Sequence, residues 1–364
     1  VAYESLVEVL RERPEGPADY VAGVIERCRP GIVVIDSFKA VGELARDAAQ
    51  WRNIVFDVAS VLTAYDTTAL WVGEYAHEAM SRLPEFAVAD GILELRRVQS
   101  GTRDDRFLQV MKLRGSSFLD GEHAFTLSAA GLTVYPRLVG PAGAVRYDPT
   151  PQRLQTGIGG LDAMIESGWL RGTSTLVAGP SGAGKTIFGL HFLRHGAIHG
   201  EPGLVVGFQE SPTQLRRAMK SLGWDADELL QPGKIDVLYS SPVELQMDTI
   251  VQEMLRRIEA QHVQRVVVDA LGELAKAAGG PRRFSDYTYA LNQELAWRGI
   301  TSMLIVETAP TTPGNTVITG RDVSEMSDNT LLLGMELGPE LERTVRIVKT
   351  RGSAHDGARH GLRI

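Results

Sequence analysis

Short segments rich in Val, Ile and Leu recur along the chain, and segments of helical spacing fill the intervals. Leu204-Val-Val-Gly-Phe208, Lys234-Ile-Asp-Val-Leu-Tyr239 and Arg265-Val-Val-Val-Asp269 are of the first kind. Apolar side chains at consecutive positions suit a strand buried on both faces of a parallel sheet, not one with a wet side. The stretch from about Val243 to Gln261 is of the second kind. Strands alternating with helices predict an α/β domain whose parallel sheet is covered by helices. Ser174-Thr-Leu-Val-Ala178 reads as a further strand, and Ile187-Phe-Gly-Leu-His-Phe-Leu193 as the start of a helix.

The pattern occurs twice. Gly31-Ile-Val-Val-Ile-Asp36 and Gln264-Arg-Val-Val-Val-Asp269 are apolar runs ending in Asp. Each is followed by a helical segment and a strand ending in Glu, Thr67 to Glu74 and Thr301 to Glu307. An Asp before a short strand comes next, Asp90 and Asp328, and then Lys112-Leu-Arg114-Gly-Ser116 and Lys349-Thr-Arg351-Gly-Ser353. The ordered series, not any one match, argues an internal repeat. Pro136 to Pro151 is rich in Pro and Gly and has no period, as a linker does. The expected organisation is a first domain over 1–136, a linker over 137–151 and a second domain over 152–364.

Between the strand at 174–178 and the helix from Ile187 lies Gly179-Pro180-Ser181-Gly182-Ala183-Gly184-Lys185-Thr186. It fits Gly-x-x-x-x-Gly-Lys-Ser/Thr at every fixed position and has the strand–loop–helix context that this phosphate loop requires. Glycines let the backbone approach phosphates, and successive N–H groups at the helix N-terminus hold the anion. Lys185 is expected to reach the β- and γ-phosphates of ATP, and Thr186 to ligate Mg²⁺. Asp269 ends an apolar strand downstream, as a Walker B acid does, and is expected to hold Mg²⁺ through water. The Lys185-to-Asp269 interval, counted back from Asp36, falls ahead of residue 1, so the first copy's loop is expected either to lie in a segment upstream of it or to have been lost.

The 364 residues are 43% hydrophobic and 23% charged, as in soluble globular proteins. The net charge of −7 offers no overall attraction to nucleic acid or an anionic membrane. A single cysteine, Cys28, rules out an internal disulfide, fits a reducing cytoplasm and is expected to be a buried helix residue. No apolar run reaches the roughly 18 residues of a membrane span. His191, His195 and His199 line one helix face, but no Cys, Asp or Glu has the spacing to complete a metal site with them.

Thr156-Gly-Ile-Gly-Gly-Leu-Asp162, then Gly168-Trp-Leu-Arg-Gly172, then the phosphate loop resemble the opening of a KaiC-type ATPase domain of the RecA-like superfamily. Ser221-Leu-Gly-Trp224-Asp225 and the two Lys-x-Arg-Gly-Ser segments are similar to that family as well. The resemblance spans nearly the whole chain and implies tandem RecA-like domains, the first represented by its latter part. It implies hexameric double rings with ATP or ADP between neighbouring subunits. By match, Lys349 and Arg351 reach a neighbour's γ-phosphate in the second ring, and Lys112 and Arg114 in the first. Fixed cations aimed at phosphoryl oxygens stabilise charge as the bond breaks. Protein partners of a signalling kind are implied without being identified.

The chain departs from the family's pattern in two places. Where KaiC proteins carry two glutamates after the strand at Leu204–Phe208, this chain has Gln209-Glu210. A carboxamide orients water but does not accept a proton, so slow hydrolysis is expected, with Glu210 as base, and Gln209→Glu is expected to raise the rate. Ser324 falls at the family's phosphorylatable Ser and Glu325 at its Thr, leaving Ser324 as the autophosphorylation candidate. Glu74 and Glu307 are lesser candidates for sensing the γ-phosphate. The leading expectation is a ring ATPase acting as a nucleotide-dependent signalling or timing module. An ATP-binding scaffold with little turnover is one alternative. A DNA-handling motor of the same superfamily is another, with Ala275 to Phe284 as its best candidate loop.

Overall fold

The computed structural model describes residues 4–5, 16–100, 103–141, 152–243, 245–308, 326–337 and 341–364. The chain divides into two compact units, Val1–Glu94 with Gln109–Gly121, and Leu95–Leu108 with Glu122–Ile364.

The second unit is built on an eight-stranded sheet. Its order is Ile235–Tyr239, Gly203–Gly207, Arg265–Asp269, Thr301–Glu307, Ser174–Gly179, Asn329–Leu337, Leu341–Thr350 and Arg359–Leu362. The first six run parallel, and the last two are added antiparallel. Every residue of Ser174–Gly179 and of Gly203–Gly207 is buried, as consecutive apolar positions require. Side chains of the Arg265–Asp269 strand alternate between two cores. Val266 and Val268 pack with Met254 of the helix Met247–Gln261 and Leu291 of the helix Pro281–Trp297. Val267 packs with Phe188 and Phe192 of the helix Lys185–Ile198 and Leu215 of the helix Pro212–Ser221. Both faces of the sheet are thus covered, giving the RecA-like α/β fold. Also in this unit, the strand Glu122–Ser128 pairs antiparallel with Gly131–Tyr135.

Arg265 opens the central strand at 1% exposure. A buried guanidinium needs its donors satisfied. It donates to Glu201 Oε2 at 2.7 Å and to the carbonyls of Gln155 (2.7 Å) and Phe192 (2.9 Å), and its plane lies over the Phe192 ring. The family-like Thr156–Asp162 segment has a structural use of the same kind. The buried Asp162 carboxylate accepts hydrogen bonds from Thr156 N (2.7 Å), Thr156 Oγ1 (2.8 Å) and Gly157 N (3.2 Å).

The first unit has a two-stranded parallel sheet, Ile32–Asp36 beside Thr68–Val72. Phe38, Trp51, Val55, Val58 and Leu62 form its core with the helix Ala48–Ala64, and Phe38 stacks on Trp71 at 4.1 Å between centroids. The outward residues of the strands are exposed: Ile32 61%, Val34 57% and Leu70 51%.

Element types follow the sequence pattern, and the differences are local. The helix expected from Val243 starts at Met247. The first copy's strand stops at Val72, short of Glu74. The strands after Asp90 and Asp328 are not short, running over 10 and 9 residues. Cys28 is exposed, not buried: it ends the helix Pro17–Cys28, whose buried stripe is Pro17, Val21 and Ile25. No helix among the described residues is long and apolar enough to cross a membrane.

Candidate functional site

The phosphate-loop sequence leaves the C-terminal end of Ser174–Gly179 and enters the helix Lys185–Ile198. Ligands of open α/β sheets gather at such carboxyl ends. Gly182 and Gly184 have φ of 79° and 95°, in the left-handed region that other residues reach at a steric cost. Gly184 is the N-cap and supplies no side-chain hydrogen bond to the first turn, so those N–H groups keep their capacity for an anion. Lys185 Nζ donates to the carbonyls of Gly179 (2.9 Å) and Pro180 (2.7 Å). Arg343 Nε donates to the Gly182 carbonyl at 3.1 Å, a loop contact with no counterpart in the motif.

Parallel pairing places the loop next to the end of Thr301–Glu307, which in turn adjoins Arg265–Asp269. Three charges consequently interact. Burial pulls the Lys185 ammonium below its ordinary pKa, partly offset by Glu307 and Asp269. Burial pushes the Asp269 carboxyl up, with the Thr186 hydrogen bond and Lys185 opposing and Glu307 adding to the rise. Thr186 Oγ1 donates to Asp269 Oδ2 at 2.6 Å. A hydroxyl and a carboxylate beside an anion cradle fit Mg²⁺, a hard cation that takes few protein oxygens and shares the rest between water and phosphate. The first copy's Asp36 and Glu74 are both exposed.

A pocket of about 40 Å³ opens beside this pair, lined among others by Thr186, Gln209, Glu210 and Asp269. One water needs roughly 10–15 Å³ of such space, so the pocket is of water size. Glu210 is half-buried, and burial, followed by the charge of Asp269, raises its pKa. Gln209 is exposed and donates from Nε2 to Glu273 Oε1 at 2.9 Å. Glu273 is 6% exposed and also accepts from Lys276 Nζ at 2.9 Å. Burial works against its ionisation, but the Lys276 and Gln209 hydrogen bonds outweigh it and lower its pKa. Nothing in the sequence marks Glu273, in the helix Leu271–Ala277, for this contact, since its partner follows a different strand, Gly203–Gly207.

The two Lys-x-Arg segments have matching surroundings. Lys349 lies one residue before the end of the long strand Leu341–Thr350, and Nζ donates to the Ser327 carbonyl at 2.5 Å. Arg351 lies just beyond the strand, its N–H bonded to Asp328 O at 3.0 Å and its guanidinium 3.9 Å from Asp328 Oδ1. Lys112 near the end of Arg103–Leu113 likewise donates to carbonyls, those of Phe86 and Ala87, each at 3.2 Å. Arg114 N bonds to Asp90 O at 2.8 Å, and its guanidinium donates to Asp90 Oδ1 at 3.2 Å. The pairs Asp90–Arg114 and Asp328–Arg351 are thus equivalent in both copies.

Other expectations divide. Ser324 and Glu325 lie outside the described residues, as does 142–151 of the linker. His191 packs edge-on to Trp224, while His195 stacks on His199. In the candidate DNA loop, Phe284 is buried at 3%. Lys276 and Arg283 are bonded to Glu273 and Asp248, and Arg282 stands 3.9 Å from Asp286. That segment presents no exposed aromatic for base stacking, because Phe284 serves the core.

The family profile described as "ATPase: KaiC" matches residues 6–139 and 154–364. A circadian clock oscillator protein KaiC of Picosynechococcus sp. is 28% identical over 339 residues, covering 91% of this chain and 64% of that protein. The protein of the same name from Thermosynechococcus vestitus is 29% identical over 368 residues, covering 96% and 69%. Circadian clock protein KaiC3 of Synechocystis sp. is 29% identical over 338 residues, covering 91% and 66%. The chain therefore spans less than two thirds of the length of the first of these relatives.

Proposed function

The chain belongs to the KaiC ATPase family, and from that premise we propose that it binds Mg·ATP on residues 179–186 and hydrolyses it slowly. The contact between Thr186 and Asp269 beside the glycine loop carries this reading. Backbone N–H groups of the loop, from Gly179, Ser181, Gly182, Ala183 and Gly184, bind the phosphates, while Pro180 shapes the turn. Lys185 turns from the loop carbonyls to the β- and γ-phosphates. Thr186 and, through water, Asp269 hold Mg²⁺, which when bound neutralises phosphate charge. Water held by Gln209 attacks Pγ as the bond from Pγ to the bridging oxygen breaks. The bond pair leaves with ADP, and the water's proton passes to Glu210.

In this reading residues 152–364 are one ATPase domain and residues 1–136 are the C-terminal part of another, joined by 137–151. The exposed apolar face of Ile32, Val34 and Leu70 supports the second point, since parallel sheets are ordinarily covered on both sides. The subunits form a hexameric double ring. Lys349 and Arg351 complete the neighbouring site in one ring, and Lys112 and Arg114 act in the other. Nucleotide state then alters ring geometry and partner binding, in a signalling or timing role like that named for the relatives. Ser324 is the candidate acceptor should phosphoryl transfer reach the protein. Gln209 favours a second reading, a scaffold that holds ATP with little turnover.

The deciding experiment measures mass, extracted nucleotide and phosphate release on the same purified sample. A ring carrying adenine nucleotide with slow phosphate release is expected. Ring and nucleotide without release points to the scaffold, and a monomer indifferent to ATP refutes both.

A further inference from the structure

We propose that Glu273 is a positioning residue that locks the Gln209 carboxamide with its carbonyl oxygen toward the attacking water. The proposal deepens the hydrolysis reading above and rests on it. An ionised carboxylate only accepts hydrogen bonds, so the Gln209 group facing Glu273 Oε1 at 2.9 Å has to be the NH₂. The amide's oxygen is then the atom left for the water-sized pocket, which Gln209 lines together with Thr186, Glu210 and Asp269. An acceptor there takes one proton of the water in a hydrogen bond and directs the other toward Glu210. A flipped amide would present donors and turn the water's lone pairs away from phosphorus.

The same geometry accounts for glutamine at this place. Glu273 is 6% exposed and is held ionised by Lys276 as well as by Gln209. A second carboxylate at 209 would meet that buried charge at hydrogen-bond distance, and two carboxylates so placed retain a shared proton. Restoring the family's glutamate alone should therefore fail to speed hydrolysis, contrary to what the sequence suggested. Exchanging both residues reverses the hydrogen bond and keeps it intact, because the amide then sits at position 273 and donates to a carboxylate at position 209.

Three variants test this: Gln209→Glu, Glu273→Gln, and the two together. Thermal unfolding without nucleotide is read first, at pH 5 and pH 8. Gln209→Glu should lower the melting temperature more at pH 8 than at pH 5, and Glu273→Gln should remove that difference. A pH-independent effect, or one that survives in the double variant, overturns the pairing. Phosphate release is read next. Glu273→Gln should cut kcat about tenfold or more, the scale of a small misplacement in a reacting group, with KM for ATP and melting temperature near wild type. Gln209→Glu should not exceed wild-type kcat, and its acid limb should move to higher pH. The double variant should reach wild-type kcat or better. A faster Gln209→Glu enzyme with an unmoved acid limb, or an unaffected Glu273→Gln enzyme, refutes the positioning role. Intact pairing in the unfolding data with no phosphate release by wild type refutes hydrolysis itself, and the role of Glu273 in it, as a separate result.

Discussion

Thr186 Oγ1 lies 2.6 Å from Asp269 Oδ2, across 83 positions of sequence. The contact joins the first turn of one helix to the end of a strand two places away in the sheet. It brings the glycine-rich loop and the end of the Arg265–Asp269 strand together.

Lys185→Ala should weaken binding of a fluorescent ATP analogue roughly 10- to 100-fold, the worth of a charge-assisted hydrogen bond to phosphate, about 1.5–3 kcal/mol. Equilibrium titration measures it. Binding unchanged by the substitution would place the nucleotide elsewhere.

Asp269→Asn keeps the shape of the site and removes the charge. ATPase activity at limiting Mg²⁺ should fall by about 10- to 100-fold, as for groups that hold a metal through an intermediary. A magnesium titration of the rate checks this, and an unaltered magnesium dependence contradicts the assignment.

The raised pKa of Glu210 has two consequences of defined sign. Hydrolysis needs the ionised form, so the rate should decline with falling pH at values above the ordinary glutamate range. Stability runs the other way. In the folded state Glu210 binds its proton more tightly than in the unfolded chain. Its ionisation therefore costs stability as pH rises from the unfolded value through the folded one, and the loss is complete above that. Glu210→Gln should accordingly raise the apo melting temperature at pH 8 and give no gain near pH 3. Melting curves at both pH values decide it.

Arg351→Ala and Lys185→Ala should each inactivate a pure ring. Mixed and reassembled, they should recover part of the activity, because some interfaces then pair an intact loop with an intact arginine. Absence of recovery under confirmed subunit exchange argues that Arg351 acts within its own subunit, where it stands 3.9 Å from Asp328.

Glu201→Gln removes the carboxylate bonded to the guanidinium of Arg265, 1% exposed, and leaves only the more distant charge of Asp162. The expected loss of stability is about 3 kcal/mol, the lower end for breaking a buried pair. Urea unfolding reads it directly.

The loop at the candidate site was legible as a strand–glycine loop–helix because its rules are local. The phosphate loop needs glycines at fixed offsets between a strand and a helix, and Gly182 and Gly184 take the backbone conformations that those offsets serve. The repeat was legible for the same reason, and in both copies the Arg N–H, of Arg114 or Arg351, bonds to the carbonyl of the Asp before the preceding strand, Asp90 or Asp328. Cys28 is exposed against expectation because a residue at a helix end faces whichever way the helix stripe leaves it. Phe284, the one aromatic of the candidate DNA loop, is turned inward by the helix Pro281–Trp297.

The sequence alone determined the α/β class, the glycine-rich turn from strand to helix and the duplication, since each is written in patterns a few residues long that obey backbone sterics and side-chain alternation. Only the folded chain decided that Gln209 meets Glu273, that Thr186 meets Asp269, and that burial shifts the acids and Lys185 in between. Those outcomes depend on which strand ends the sheet order brings together and on how far water is displaced there, quantities that no short stretch of residues contains.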